Sequence, residues 1–291
     1  MTTNIDFDEM QILRTVKYLS QVNIRGPSLS AEQVSRWLAQ FRKGPERTLA
    51  LLVLRELVYR SGIQLESSFR QALKTCALKL MADAGFVNDV HWLEVIANRA
   101  GNLHLYGGPM DASVPGKSGD LIVRSAAQKY GLSRCHPRDI TNLERDDRFL
   151  LVDDALLTGD QIISYISQHA PFMLKGQCAI VVALAHESGL NTVRATFPDI
   201  QVFAGEVLSA GHGLVEAAQR WVDTGLWPYN DCTPLETYLE THARSGPFAP
   251  AQAPLGFGSL GLMLAYEHGA PDNALQLIWG RSDTWAPLRE R

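Results

Sequence analysis

No apolar run in this chain approaches the roughly 18 residues that a membrane-spanning helix requires, so no such helix is expected. The start, Met1-Thr2-Thr3-Asn4-Ile5-Asp6, lacks a basic region followed by an apolar stretch, so no secretory signal is expected either. Cysteine is scarce and scattered: Cys76, Cys135, Cys178 and Cys232 form no Cys-x-x-Cys pair, which points to reduced thiols in a cytoplasmic protein. His104, His136 and His242 have no metal-ligand spacing with cysteines or carboxylates, so no structural zinc is expected. There is no Gly-x-Ser-x-Gly elbow. Positive charge is not in excess: 27 Lys and Arg face 31 Asp and Glu, a net charge of −4, which argues against a broad nucleic-acid surface. Internal repeats and low-complexity tracts are absent. What remains is a chain of 291 residues, 46% hydrophobic and 20% charged, long enough to bury a large core in one elaborated domain or two.

Residues 1 to 95 read as helix-dominated. Met10, Leu13, Val16 and Leu19 recur at helical spacing. Ser30 and Gln33 make a capping box for a helix to about Arg42 whose face Val34, Trp37, Leu38, Phe41 is apolar. Pro45 starts a helix expected to end near Gly62, and another spans about Glu66 to Asp83. Trp37 and Phe41 are most simply core residues, as are Trp221, Trp227, Trp279 and Trp285. Residues 96–291 read as an α/β domain with a C-terminal extension. Strands are expected at Leu103–Tyr106, Phe149–Val152, Gln177–Ala185, Ile200–Leu208 and Gly261–Tyr266, with helices between several of them, which implies a mostly parallel sheet. Gly107 to Gly116 and 244 to 258 read as loops, the latter ordered or acting as a lid.

The segment that carries chemistry is Phe149-Leu150-Leu151-Val152-Asp153-Asp154-Ala155-Leu156-Leu157-Thr158-Gly159-Asp160-Gln161. A buried strand is followed by two carboxylates, a small polar turn and a helix. The carboxylates can hold sugar hydroxyls or a metal, and the turn amides with the helix N-terminus can hold a phosphate. A plain strand end with an Asp cap on the next helix would read the same way locally. Gly116-Lys117-Ser118-Gly119 offers a second anion-binding turn: Lys117 brings a point charge and Ser118 a hydroxyl donor, although the leading glycine that a P-loop requires is absent. A flexible turn with a Ser cap is the alternative. His186-Glu187 follows an expected strand and is a candidate for a pocket rim, and His212 between two glycines is more simply a turn residue.

The Asp153–Gln161 segment resembles the ribose-phosphate loop of type I phosphoribosyltransferases. The resemblance implies that Asp153 and Asp154 bind ribose hydroxyls, directly or with a magnesium ion held directly or through water. It also implies that Ala155, Leu156, Leu157, Thr158, Gly159, Asp160 and Gln161 wrap a 5′-phosphate, and that Lys117, Ser118 and Gly119 bind pyrophosphate. Leu157, Asp160 and Gln161 stand where Thr, Gly and Thr are usual. A carboxylate about 4 Å from a phosphate costs roughly 4 kcal/mol at an effective dielectric near 20, so Asp160 either points away or marks a repurposed turn.

A wider likeness rests on Trp37-Leu38-Ala39-Gln40-Phe41 with Leu49-Ala50-Leu51-Leu52, Lys117-Ser118-Gly119, Asp153-Asp154, and Pro254-Leu255-Gly256-Phe257-Gly258 followed by Pro271-Asp272-Asn273, Trp279, Trp285 and Pro287-Leu288. In that order these resemble the phosphoribosyltransferase-like family of prokaryotic conflict (anti-phage) systems, some encoded beside retron reverse transcriptases. The likeness implies a type I phosphoribosyltransferase fold and an effector that binds phosphoribosyl pyrophosphate or a nucleotide-like molecule. Transfer or hydrolysis at the anomeric carbon would be its reaction. As partners it implies a reverse transcriptase with its RNA–DNA product or a DNA-binding regulator, with residues 1–95 offering an interface to such a partner or to a second copy. A catalytically inactive module acting as nucleotide sensor or assembly subunit, and a nucleobase salvage enzyme, are the alternatives.

Overall fold

A computed structural model of the chain describes residues 5–21, 29–86, 90–109, 118–135, 146–173 and 177–291. In chain order the helices and strands begin with α1 (Ile5–Gln21), α2 (Ala31–Leu38), α3 (Pro45–Glu56), β1 (Val58–Arg60), α4 (Gly62–Asp83), α5 (Trp92–Ile96), β2 (His104–Pro109), α6 (Ser118–Tyr130) and β3 (Ser133–Arg134). They continue with β4 (Asp147–Leu156), α7 (Asp160–Met173), β5 (Cys178–His186), α8 (Glu187–Thr196), β6 (Gln201–Leu208), α9 (Leu214–Asp223), α10 (Pro234–Ser245), β7 (Leu264–Tyr266) and α11 (Gln276–Trp279). None of the described helices is long and apolar enough to cross a membrane.

The chain packs as two compact units, one taking in the described residues up to Ile63 with Ser209–Arg291, the other Gln64–Leu208. The sequence suggests a boundary near residue 95. The division falls instead at 63 and again at 208, because the N-terminal helices bury their apolar faces against the C-terminal segment. Trp37, Phe41 and Trp285 meet edge to face there, with ring centroids 4.7 to 6.3 Å apart. The indole N–H groups of Trp37 (2.9 Å) and Trp285 (3.1 Å) both donate to the Leu277 carbonyl. The aromatic residues read as core are core.

Several elements of this unit differ from the sequence-based expectation: α2 ends at Leu38 rather than near Arg42. The helix that begins at Pro45 ends at Glu56 rather than near Gly62, since Leu57 leaves the helical region (φ −58°, ψ 114°). Residues 58–60 form β1, paired in parallel with β7 from Val58↔Leu264 to Arg60↔Tyr266. The unforeseen α10 has a visible start signal: Thr233 and Glu236 make a capping box with Pro234 at the first position.

The second unit is built on a five-stranded, all-parallel sheet in the order β3-β2-β4-β5-β6. The chain moves outward from β2 to β3, returns to lay β4 on the other side of β2, and continues outward to β6. Crossovers of one hand then lie on opposite faces for the two directions. β5 is buried along its whole length, as a central parallel strand should be. α7 and α8 cover one face through Ile162, Ile166, Leu190 and Val193, which pack on Phe149, Leu151, Ile180 and Val182. α4 crosses the sheet at β6 so closely that a Cβ on Gly205 would lie 1.9 Å from the Ser68 carbonyl oxygen. The four cysteines are unbridged, and burial pushes the Cys178 thiol up to about 12.

The Trp37 contacts give a stability test. Trp37→Ala should lower the unfolding free energy of its unit by about 3–5 kcal/mol. Trp37→Phe should cost only about 1 kcal/mol beyond its lost volume, because Leu277 keeps the Trp285 donor. Guanidinium unfolding followed by circular dichroism measures both, and a loss under 1 kcal/mol for Trp37→Ala would contradict the packing.

Candidate functional site

Between β2 and β4 the strand order reverses, and in open α/β sheets the crevice outside the strand C-termini at that point is where ligands bind. β4 pairs with β2 only up to Pro109↔Val152, yet continues to Leu156 alongside β5. Asp153 and Asp154 therefore stand in β4, just beyond its last β2 partner, rather than after the strand as the sequence suggests. The added strand length follows from β5, whose Val182, Leu184 and Ala185 pair with Asp153, Ala155 and Leu156.

The first turn of α6 closes on this point. Gly119 lies so near β4 that a Cβ there would sit 3.0 Å from the Val152 carbonyl oxygen and 3.2 Å from Asp153 Oδ1. The Ser118 hydroxyl donates to Asp153 Oδ1 at 3.1 Å, and the Asp154 amide donates to the same oxygen at 2.9 Å. Asp153 is buried, Asp154 only partly so. Burial and, second, the neighbouring Asp154 carboxylate hold the Asp153 carboxyl well above the usual carboxylate range, against the lowering effect of its two donors. Two carboxyls thus share one site that favours a proton, a sugar hydroxyl or a cation.

The turn after β4 is fixed from below. Leu156 and Leu157 are buried, so a ligand could meet these two only through their backbone. Gly159 takes φ +90°, where a side chain is strained, and a Cβ there would lie 3.2 Å from the Gly189 carbonyl oxygen. Reciprocally, a Cβ on Gly189 would come within 2.4 Å of the Leu157 carbonyl oxygen. The turn is thus pressed onto the start of α8. Ala155 and Thr158 are partly buried, whereas Asp160 and Gln161 are exposed at the first two positions of α7.

The structure brings together Ser118, Gly119, Asp153 and Asp154, with the turn to α7 directly following. Lys117 lies outside the described residues. His186 is buried and caps α8, its Nδ1 accepting the Ser188 amide at 3.2 Å. His212 sits in a 3-10 turn of the other unit, bonded to Ser209, as a turn residue should be. Sequence reasoning missed Gly189, whose role depends on a contact no local pattern reports. It also missed a cationic pair beside the site. Asp120 in the first turn of α6 is buried and receives Arg124 Nη2 at 2.7 Å and Arg134 Nη2 at 3.1 Å, both from half-exposed side chains. Among the described residues no group of three or more His, Cys, Asp or Glu is arranged to hold a metal. The Asp153–Asp154 pair offers two carboxylates.

The raised Asp153 carboxyl sets a pH signature. Its folded value lies above the unfolded one, so the folded state holds the proton over a range where the unfolded state has lost it. Stability contributed there is complete below the ordinary carboxylate range and is lost as pH rises through the raised value. Asp153→Asn should flatten that fall, and its stability relative to the parent should grow with pH in denaturant titrations. Identical pH slopes for the two proteins would contradict the assignment. Gly189→Ala should cost about 1–3 kcal/mol by forcing the 157–159 turn and α8 apart.

A comparison with curated proteins gives no match. The family model PRTase-CE matches residues 34–291, nearly the whole chain. With its parallel sheet, the order reversal at β2 and β4 and the acidic pair at that reversal, the chain belongs to the phosphoribosyltransferase-like PRTase-CE family and has a type I phosphoribosyltransferase-like fold.

Proposed function

We propose that this protein is a phosphoribosyltransferase-like effector of an anti-phage defence system, acting in the cytoplasm, and that it binds a ribose-phosphate or nucleotide ligand at the C-terminal edge of β2 and β4. One observation carries the reading: the Asp153 carboxyl, with Asp154 beside it, meets the first turn of α6 where the strand order reverses. The defence setting rests on the family match and on the four stretches of likeness described above. A reverse transcriptase with its RNA–DNA product, or a DNA-binding regulator, is the partner this setting implies.

In this reading Asp154 and Asp153 receive the ribose hydroxyls, and the amides opening α7 receive a phosphate. Ser118 and Gly119 receive a pyrophosphate or second phosphate, to which the neighbouring residue in the chain, Lys117, brings a positive charge. The donor set suits Mg2+, which takes oxygen ligands and commonly binds through one or two carboxylates plus substrate phosphates. Bound there, directly or through water, the ion would offset the repulsion between the two neighbouring carboxyls. Transfer or hydrolysis at the anomeric carbon then asks the chain mainly for positioning and electrostatics.

A second reading, a non-catalytic nucleotide sensor or assembly subunit, is favoured by one feature. Asp160 places a carboxylate at the first position of α7, where a phosphate would lie, and the neighbouring Leu157 is buried where a hydroxyl is usual.

Calorimetric titration of ribose 5-phosphate and of phosphoribosyl pyrophosphate, with Mg2+, tests both. The parent protein should bind, and Asp154→Asn should weaken binding tenfold or more, about 1.4 kcal/mol. Asp160→Gly should tighten ribose 5-phosphate if α7 holds the phosphate; a flat or weaker response favours the sensor. In cells, a folded Asp153→Asn/Asp154→Asn double variant should lose phage protection. Unchanged protection, or no binding by the parent protein, would overturn the site.

A further inference from the structure

The first turn of α6 is tied to the sheet on two flanks. On one, the Ser118 hydroxyl donates to Asp153 Oδ1 of β4 at 3.1 Å. On the other, Asp120 Oδ1 accepts from Arg134 Nη2 of the edge strand β3, also at 3.1 Å. β2 lies between those two strands, so the turn straddles β2 with one side chain bonded to each of its neighbours. Both ties lie at the C-terminal ends of the strands. Arg134 ends β3, in register with Gly107, and Asp153 stands one residue past Val152, the last β4 partner of β2. Gly119, between the two tied residues, lets the turn settle against the Val152 carbonyl.

The Asp120 tie carries charge. Asp120 keeps only 6% of its surface, and a buried carboxylate is costly unless it is paired. Two guanidiniums pair it. The one from Arg124, at 2.7 Å, comes from four residues along the same helix, so it steadies α6 without fixing where the helix sits. The one from Arg134 comes from another element, and of these two bonds it is the one that holds the turn to the sheet. We infer that Asp120 is a positioning residue: by holding Arg134 it fixes the first turn of α6 over the end of β2, and so keeps Ser118 and the amides of that turn in place for a pyrophosphate or second phosphate. Asp120 acts here through Arg134 and Ser118 and does not touch the ligand. A displacement of about 1 Å in such a turn is enough to lose much of what positioned donors contribute. The ligand part of this inference rests on the reading proposed above. The mechanical part, that the Asp120–Arg134 pair sets the Ser118–Asp153 bond, stands without it.

The test has a ligand-free arm and a ligand arm, both on the full-length protein. Arg134→Gln is the decisive variant, because it leaves α6 and the acidic residue in its first turn unaltered. In denaturant titrations without ligand, Ser118→Ala and Arg134→Gln should be non-additive, the double variant departing from the product of the single effects by about threefold or more in the unfolding constant. Ser118→Ala with Arg124→Gln should be additive. In calorimetry with Mg2+, Arg134→Gln and Asp120→Asn should each weaken phosphoribosyl pyrophosphate about tenfold and leave ribose 5-phosphate within about twofold of the parent. A general loss of stability would not separate the two ligands. Additive effects of Ser118→Ala and Arg134→Gln would overturn the proposal whether or not a ligand binds. So would equal losses for the two ligands. A loss of phosphoribosyl pyrophosphate in Arg134→Gln that Asp120→Asn does not share would overturn it too, by making the arginine a ligand in its own right. Failure of the parent protein to bind either ligand would overturn the functional reading instead, and the ligand-free arm would then decide this one.

Discussion

The site depends on how one buried carboxyl is satisfied. Asp153 sits at the end of β4 with too little water to stabilise its charge, next to a second carboxylate. An isolated buried carboxylate is costly, so its oxygens must find donors. Oδ1 finds two, the Ser118 hydroxyl and the Asp154 amide. The first ties α6 to β4, and Gly119 allows the approach because a Cβ there would press on the Val152 carbonyl and on Asp153 itself. Helix start, strand end and acidic pair are therefore one constraint. The same contact sets the two carboxyls side by side, and their mutual repulsion adds to the burial that raises the Asp153 carboxyl.

The turn toward α7 is set by a different force. Leu156, Leu157, Ile162 and Ile166 are drawn into apolar packing, and the backbone between them rests on α8 at Gly189. The amides at the start of α7 are thereby fixed in position before any ligand arrives, and preorganised donors are the kind that hold an anion well. Asp160 stands exposed on that same first position. A carboxylate thus stands at the same turn as those amides, which is why a substitution at Asp160 tests whether the turn takes a phosphate.

Outside the sheet, the N-terminal helices and the C-terminal segment share one core. Trp37 and Trp285 converge on a single carbonyl of Leu277, and β1 is held by β7. Residues that lie far apart in the chain here bury their large apolar surfaces in one shared core, so neither stretch is a separable appendage.

Much of this was legible in the chain. The apolar run before Asp153 announced a buried strand, the alternation of strands and helices announced a parallel sheet, and the tryptophans announced core. These are local or periodic signals, and burial acts on them residue by residue. What the sequence could not give was the partner of each element. β1 reads as the tail of the helix that begins at Pro45 because the first stop signal after it is Gly62, whereas the backbone bonds that make it a strand come from β7, some 200 residues later. The reach of β4 past Val152 depends on β5, and the contacts of Gly189 with Leu157, of Ser118 with Asp153 and of Asp120 with Arg134 are all between segments that no short-range pattern links. Sequence by itself determined which residues must be buried and which carry charge at a strand end. Tertiary structure alone decided which backbone groups and carboxyls face one another, because hydrogen bonds and buried charges are satisfied by whatever the fold brings near, not by what precedes them in the chain.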